Sequence, residues 1–444
     1  MIRFETIIQA LRSAKTYLYL AIFFLPLERV LVLKLGNSNV RLTHLFLLIS
    51  ILVWLWEKFT EIKAEKKKVS AELKNFSRNF SQISNLYKLV VIYFLILGFS
   101  FLRPEAFDRM FSVFIYILFV VGSVFFIPQF FHKAKDLALA VKVFLAGSLA
   151  FCVFGLYQFI ADMAGAPISW TLLTDKYTKS ILGFTRVQGF FVEPLYFANF
   201  LIFPIIFCIL LLMNKIKSRK LKVFLWLTLA LSSVNFILAN ARGAFIALAI
   251  ILLILFIANI KKFSKEFYYS AISVLLLIVI AGSLFYFAAP QSPIGNFVYH
   301  ATHPFEGSAF SERKETFAFA WQMFKEKPLF GYGPGSFGVL APLKQWEVRE
   351  NWKIVNNLYL ELLAESGIFG FLAMAAFFVY LLFLIFKSWK HTEDKLLKIL
   401  YEGFFLVILG ILIQYNTFSV IYLPYVWITV GLAIACLKMC RQSK

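Results

Sequence analysis

Charged side chains are scarce in this sequence, at 16% of 444 residues. A soluble domain carries about a quarter charged residues, so the scarcity argues against a soluble globular protein. Hydrophobic residues supply 61% of the chain, in recurring apolar runs that are long enough to cross a bilayer core of about 30 Å. Because the backbone must be hydrogen-bonded internally in lipid, runs without alternation indicate helices rather than a barrel. The sequence therefore predicts an all-α polytopic membrane protein.

Acidic residues, cysteines and histidines are also few, at 24, 4 and 5. The net charge of +21 could indicate nucleic acid, but the lysines occupy short loops between apolar runs, where they set membrane topology. We therefore expect membrane lipids, and no nucleic acid, as partners. All the cysteines lie in or beside apolar runs, which predicts neither a disulfide nor a zinc site. No cleavable signal peptide is evident, and no metal or other cofactor is predicted.

Twelve apolar runs predict twelve membrane-spanning helices within a single transmembrane domain, residues 1–444. The approximate bounds of these spans are 16–35, 40–56, 86–102, 107–130, 137–161, 194–213, 223–239, 242–260, 267–289, 357–386, 397–415 and 420–437. Alternate loops are rich in lysine and arginine, and the positive-inside rule places these loops and both termini in the cytoplasm. An even number of spans agrees with that orientation.

Two of the loops assigned to the outer face are long, namely residues 162–193 and residues 290–356. The second loop lies between predicted spans nine and ten. Its aromatic residues recur at roughly helical spacing among charged residues, at Phe310, Phe317, Trp321 and Phe324. This pattern predicts an amphipathic helix in the membrane interface. Gly331-Tyr-Gly-Pro-Gly335 follows, and since it lacks the strand and spacing of a dinucleotide-binding motif, it predicts a tight turn.

Polar side chains cluster at the predicted outer ends of several spans. The main ones are Arg186, Glu193, Asn240, Arg242, Asn356, Asn357, Glu361 and Glu365. Taken singly, an arginine can snorkel to lipid phosphate, and a glutamate or asparagine can stabilise a helix N-terminus. Together they fit an anionic substrate, because guanidinium suits phosphate and a carboxylate can act as general base for a hydroxyl acceptor. With no metal cluster on this side, arginine would have to neutralise the leaving group.

Four segments follow one another in an order and spacing that point to a known family. They are Arg186-Val-Gln-Gly-Phe-Phe-Val-Glu-Pro194, Asn240-Ala-Arg-Gly243, the stretch from Arg313 through Trp321 to Pro328-Leu-Phe-Gly-Tyr-Gly-Pro-Gly-Ser-Phe337, and Asn356-Asn-Leu-Tyr-Leu-Glu-Leu-Leu-Ala-Glu-Ser-Gly-Ile-Phe-Gly370. In these motifs, and in its topology, the chain resembles the O-antigen ligase and O-antigen polymerase superfamily.

The resemblance implies a GT-C-like glycosyltransferase at the periplasmic face of the bacterial inner membrane. Such an enzyme transfers a glycan from undecaprenyl diphosphate, without a metal and with inversion at the anomeric carbon. The resemblance implies that Arg186 and Arg242 contact the donor diphosphate, and Arg313 matches the arginine that begins the family's loop helix. Ligase members usually carry His-Asn where this chain has Asn356-Asn357, and an asparagine cannot take the proton.

This departure favours a polymerase, which would join lipid-linked repeat units en bloc, over a ligase that acts on lipid A-core or another acceptor. The candidate catalytic residues are Glu193, Asn356 and Glu361, and the candidate substrate-binding residues are Arg186, Arg242, Arg313 and Asn357. Expected partners are an undecaprenyl-diphosphate-linked oligosaccharide, a chain-length regulator and a flippase. A rival interpretation, a transporter or lipid-linked-sugar flippase, fits twelve spans equally well but requires polar residues at the membrane midplane.

Overall fold

Helices dominate the structure, a computed structural model that describes residues 13–35, 38–64, 83–102, 104, 107–214, 216–260, 292–303, 308–343 and 354–439. The helices are α1 (Ala14–Phe23), α2 (Leu42–Ala64), α3 (Ile83–Phe99), α4 (Phe107–Phe126), α5 (Ala134–Met163), α6 (Ile168–Thr171), α7 (Lys179–Leu182), α8 (Pro194–Leu212), α9 (Arg219–Leu238), α10 (Arg242–Ala258), α11 (Pro293–Thr302), α12 (Ser308–Glu326), α13 (Phe337–Leu343), α14 (Leu358–His391), α15 (Lys395–Gln414) and α16 (Pro424–Met439). The strands β1 (Leu31–Leu35) and β2 (Ser38–Arg41) form an antiparallel pair.

Eight of the described helices are long and apolar enough to cross a membrane, namely α2, α3, α4, α5, α8, α9, α14 and α15. Two shorter apolar helices, α10 and α16, coincide with predicted spans eight and twelve. Ten of the predicted spans therefore correspond to apolar helices among the described residues. Predicted span nine, residues 267–289, lies outside the described residues. The prediction of an all-α polytopic membrane protein is confirmed.

The first predicted span, residues 16–35, is wrong as a single helix. Helix α1 ends at Phe23, and its ten residues reach only about 15 Å, half the thickness of the bilayer core. The chain turns around Pro26 and continues into the β1–β2 hairpin. Arg41 Nη1 then lies 2.8 Å from Oε1 of the buried Glu28. The turn supplies this carboxylate with its partner, whereas a helix continuing through the proline would carry an unpaired charge into lipid.

The chain divides into two compact units. The first comprises Met1–Gly147, Glu315–Ile408 and Tyr415–Lys444, and the second comprises Ser148–Lys314 and Leu409–Gln414. Within the second unit, a buried amide pair joins α8 to α15, because Asn199 Nδ2 donates to Gln414 Oε1 at 2.9 Å. Assignment of the chain to one transmembrane domain, with residues 290–356 as its outer loop, stays a prediction.

The amphipathic helix predicted in the outer loop is present as α12. Within it, Phe319, Ala320 and Met323 are buried, whereas Trp321 of the predicted interfacial face is 46% exposed. These three residues form a small hydrophobic core in the first unit with Tyr332, Phe337, Ala341, Val355 and Ala364. The position of α12 in the membrane interface stays a prediction.

Helix α14 is interrupted at Gly367, whose φ of 64° and ψ of −170° are not helical. The glycine-rich turn that follows α12 packs into this interruption. Three backbone hydrogen bonds join it to the kinked helix: Tyr332 N to Ala364 O (3.0 Å), Gly333 N to Glu365 O (2.8 Å) and Ile368 N to Pro328 O (2.8 Å). A Cβ atom on Gly367 would lie 2.3 Å from the carbonyl oxygen of Leu329, so this close approach requires glycine. The predicted turn at Gly331–Gly335 is thus confirmed.

Candidate functional site

In the second unit, two side chains of α5 hold the loop that carries Arg186. Gln158 and Asp162 lie one helical turn apart, and both are buried. Gln158 Nε2 donates to Thr171 O (2.9 Å) and Gly189 O (3.0 Å), and Gln158 Oε1 accepts a hydrogen bond from Gly189 N (2.8 Å). Asp162 Oδ2 accepts hydrogen bonds from Lys179 N (2.8 Å) and Thr185 Oγ1 (2.6 Å). Since both ends of the loop are bonded to one helix, the backbone around Arg186 is fixed before any ligand arrives.

The half-buried Arg186 joins this loop to the end of α9. Its backbone N–H donates to Tyr177 O (2.9 Å), and its guanidinium lies 5.4 Å from the centre of the Tyr177 ring. Nε and Nη2 donate to Ala239 O (3.3 Å) and Asn240 O (3.2 Å), which satisfies carbonyl groups at the helix C-terminus. These bonds use two of the five guanidinium N–H donors. The others have no hydrogen-bond partner among the described residues and can bind an anion.

Arg242 is the first residue of α10, just beyond the tight turn at Asn240, which has a φ of 43°. Its Nη1 donates to the backbone oxygen of His303 at 2.6 Å, where α11 ends. No other hydrogen bond from this guanidinium to the described residues is present. Arg242 therefore bridges two helix ends and keeps most of its donors available.

Three arginines and one glutamate interact electrostatically within the second unit. Burial lowers the pKa of Arg186, Tyr177 and Glu193 raise it, and Arg242 and Arg313 lower it further. Burial also lowers the pKa of Arg313, and Glu193 and Glu312 raise it. Arg242 and Arg313 are positive charges near Arg186, so a bound anion would offset the repulsion among the arginines in addition to the carboxylates of Glu193 and Glu312.

Glu193 precedes α8 at its N-cap position, next to Pro194 at the first helical position. Its side chain makes no capping hydrogen bond to that helix. Burial raises the pKa of Tyr177 to about 12, and Glu193 contributes to that rise. The carboxylate therefore interacts electrostatically with Tyr177, Arg186 and Arg313 and does not cap α8 with its side chain.

In the first unit, Asn356 and Asn357 lead into α14. Asn356 has a left-handed backbone with a φ of 59°, a conformation in which asparagine is enriched, and its N–H donates to Ser419 Oγ at 3.0 Å. Asn357 caps the helix, since its Oδ1 accepts a hydrogen bond from Leu360 N at 3.1 Å. Its Nδ2 also donates to Asn416 O at 3.4 Å.

Glu361 and Glu365 both line a small cavity of the first unit, as expected for residues one turn apart. The cavity volume is about 10 Å³, which is room for about one water molecule. Glu361 Oε2 accepts hydrogen bonds from Ser419 Oγ (2.6 Å) and Val355 N (3.3 Å). The two oxygens of Glu365 accept hydrogen bonds from Gly335 N (2.8 Å) and Phe337 N (3.1 Å). Each carboxylate thus holds the backbone of a segment outside α14.

The structure therefore collects the candidate residues into one group in each unit. The second unit contains Arg186, Glu193, Arg242 and Arg313, and the first contains Asn356, Asn357 and Glu361. Sequence reasoning missed Gln158, Asp162, Tyr177 and Ser419. The spacing of Gln158 and Asp162 in an apolar run could have indicated an inward polar face, whereas Ser419 carries no such signal. Among the described residues, no group of three or more His, Cys, Asp or Glu side chains could hold a metal ion.

The fold and the candidate residues define a polytopic helical membrane protein with an arginine-rich polar site. Residues 227–375 match the family model described as O-antigen ligase. The teichuronic acid biosynthesis protein TuaE of Bacillus subtilis (strain 168) is 24% identical over 349 residues, which cover 74% of this chain and 67% of that protein. The resemblance to the O-antigen ligase and polymerase superfamily is thus confirmed, and it supports glycan processing of that type.

Proposed function

We propose that this chain is a glycan polymerase that joins undecaprenyl-diphosphate-linked oligosaccharide repeat units at the periplasmic face of the cytoplasmic membrane. The observation that carries the proposal is the group formed by Arg186, Arg242, Arg313 and Glu193 in the second unit. Two of its guanidiniums keep N–H donors that the described residues do not use. Planar, permanently charged donors of this kind suit a diphosphate, which they can bind in bidentate fashion.

The proposed reaction is a single displacement at the anomeric carbon of the donor glycan. A hydroxyl oxygen of the acceptor unit forms the new glycosidic bond, and the bond from the anomeric carbon to the diphosphate oxygen breaks, with inversion. The arginine group neutralises the departing undecaprenyl diphosphate, so the proposed reaction is independent of a metal. Arg186 suits this task because its hydrogen bonds to α9 fix it beforehand, and preorganised donors stabilise developing charge most effectively. Glu193 takes the hydroxyl proton as general base.

An O-antigen ligase is the second candidate, favoured by the description of the matching family model. It would use the same donor but place the glycan on lipid A-core or another acceptor. The name of TuaE ties that relative to the biosynthesis of teichuronic acid, and we extend polymer assembly to this chain on that similarity. A transporter or flippase is the more distant alternative. It is distinguished from both enzymes because it would form no glycosidic bond and release no diphosphate.

The proposed reaction also requires a particular membrane topology and two partner proteins. Both termini lie in the cytoplasm, and residues 290–356 lie outside, next to the glycan. A flippase supplies the lipid-linked units from the cytoplasmic side, and a chain-length regulator limits the product.

The proposal is tested by deleting the gene in its source bacterium and restoring it as wild type or as Arg242→Ala. Wild type should restore a ladder of carrier-linked glycans of increasing length on a gel. The deletion strain and the variant should accumulate single repeat units, with the variant present in the membrane at normal amount. Long carrier-linked glycans in the deletion strain would contradict the polymerase and favour the ligase.

A further inference from the structure

Asn356 combines a left-handed backbone with a side-chain amide whose hydrogen-bonding groups the described residues do not use. Its backbone is left-handed, which is uncommon outside glycine and persists only where the surroundings fix it. Its side-chain amide is half-buried and makes no hydrogen bond to the described residues. A side-chain amide whose backbone is held in one conformation, with its own hydrogen bonds unused, is a candidate to bind a ligand.

The residues that fix this conformation are Ser419 and Glu361. The buried hydroxyl of Ser419 accepts a hydrogen bond from Asn356 N (3.0 Å) and donates one to Glu361 Oε2 (2.6 Å). The same carboxylate oxygen accepts a hydrogen bond from Val355 N at 3.3 Å. Glu361 therefore contacts the backbone of Val355 directly, and it contacts the backbone of Asn356 through the hydroxyl of Ser419.

The segment around Ser419 also holds the residues that follow Asn356. Leu358 N donates to the carbonyl oxygens of Tyr415 (2.9 Å) and Phe418 (3.1 Å). With the contact between Asn357 and Asn416, the short connection between α15 and α16 bonds three consecutive residues. This connection and Glu361 leave the backbone at Asn356 little freedom to change.

We propose that Glu361 and Ser419 form a clamp that presents the Asn356 side chain to a sugar hydroxyl of the acceptor glycan. An amide suits a hydroxyl, because each group both donates and accepts hydrogen bonds. Glu361 is then a positioning residue, and Asn356 is the residue that touches the substrate. The inference rests on the proposed glycan transfer and names a contact within it.

Conservative substitutions separate a clamp from a general base at Glu361. In Glu361→Gln the amide oxygen can replace Oε2 and accept both hydrogen bonds, but the side chain can no longer take a proton. Glu361→Ala and Ser419→Ala break the clamp, whereas Ser419→Thr keeps a hydroxyl. Ser123→Ala is the matched control, since Ser123 is a buried serine of the same unit whose hydroxyl, among the described residues, bonds only to a carbonyl of its own helix, Val120 O.

Hydrogen exchange tests the clamp without any substrate. In the full-length purified protein, Glu361→Ala and Ser419→Ala should raise amide exchange in the peptide that covers residues 354–360. Glu361→Gln, Ser419→Thr and Ser123→Ala should exchange like wild type. Unchanged exchange in both alanine variants of the clamp would overturn it.

Kinetics with lipid-linked glycan extracted from the deletion strain test what the clamp does. Glu361→Ala and Ser419→Ala should lower kcat by about 10²-fold, the usual effect of a displaced contact group, and Glu361→Gln should stay within about threefold of wild type. Asn356→Gly tolerates the left-handed backbone but lacks the amide, so its rate should fall while its amide hydrogen exchange stays like that of wild type.

A Glu361→Gln variant as inactive as Glu361→Ala would make Glu361 a base and overturn the inference. Wild type that forms no product from this extract would refute the proposed function, whereas the exchange experiment would still decide the clamp.

Discussion

Replacement of Arg186 separates its two contributions, to the fold and to the donor site. In Arg186→Ala the carbonyl groups of Ala239 and Asn240 lose their guanidinium donors. A hydrogen bond of a charged group contributes about 1.5–3 kcal/mol, and these two are long at 3.3 and 3.2 Å, so we expect a loss near the lower end, about 3 kcal/mol in all. The protein should therefore still insert and fold.

The expected loss of rate has a separate cause, the missing contacts with the donor diphosphate. A hydrogen bond to a charged group contributes about 1.5–3 kcal/mol, so two such bonds from Arg186 to the diphosphate contribute about 3–6 kcal/mol. At about 1.4 kcal/mol for each factor of ten, kcat/KM should fall by about 10²–10⁴-fold. Arg186→Lys should recover only a small part, because an ammonium group cannot bind both the helix end and the phosphate in the same way.

The assay is extension of lipid-linked glycan by purified protein, with thermal unfolding measured on the same samples. Arg219→Ala is the matched control, since Arg219 is exposed at the opposite end of α9. It should leave both the rate and the stability unchanged. A fully active Arg186→Ala variant would reduce Arg186 to a helix-capping residue, and an equal loss in Arg219→Ala would show that the assay reports general damage.

Three further predictions concern Glu193, Gly367 and the membrane topology. Glu193→Gln should lower the rate by about 10²–10⁴-fold with little change in thermal unfolding if Glu193 is the general base, and an unchanged product ladder would remove it from the mechanism. Gly367→Ala should lower the unfolding free energy by about 2–4 kcal/mol, from its left-handed backbone and its contact with Leu329, whereas Gly122→Ala, with open space at its Cβ, should not destabilise. A reporter fused after Lys344 should be active only as a periplasmic enzyme, and cytoplasmic activity there would overturn the topology.

The helical spans were predictable because hydropathy and local stop signals agree at their ends. The predicted span 194–213 differs from α8 by one residue, since Pro194 starts the helix where the apolar run starts. The first span failed because mean hydropathy gives little weight to Pro26 and the pairing of Glu28 with Arg41, which are 13 residues apart. The kink at Gly367 was equally hidden, because only the packing of a distant turn against α14 requires it.

The candidate site was predictable by residue type and much less by contact. Costly charges at the ends of spans singled out Arg186, Arg242 and Glu361, and the structure shows which groups hold each of them. The partner of Glu361 is Ser419, 58 residues away, and no local pattern indicates such a pair. The left-handed backbone of Asn356 adds a physical reason for asparagine at a position where the resemblance leads one to expect histidine, since both residue types are enriched in that conformation.

The central claim, glycan transfer from a lipid diphosphate at an arginine-rich site, is tested most directly by counting both products of one reaction. Purified protein would be mixed with the lipid-linked glycan that the deletion strain accumulates, and new glycosidic bonds and released undecaprenyl diphosphate would be measured together. The account predicts one diphosphate released for each bond formed, with both products reduced in parallel in Arg186→Ala. Movement of the lipid-linked glycan across a membrane, with neither a new bond nor a released diphosphate, would contradict it.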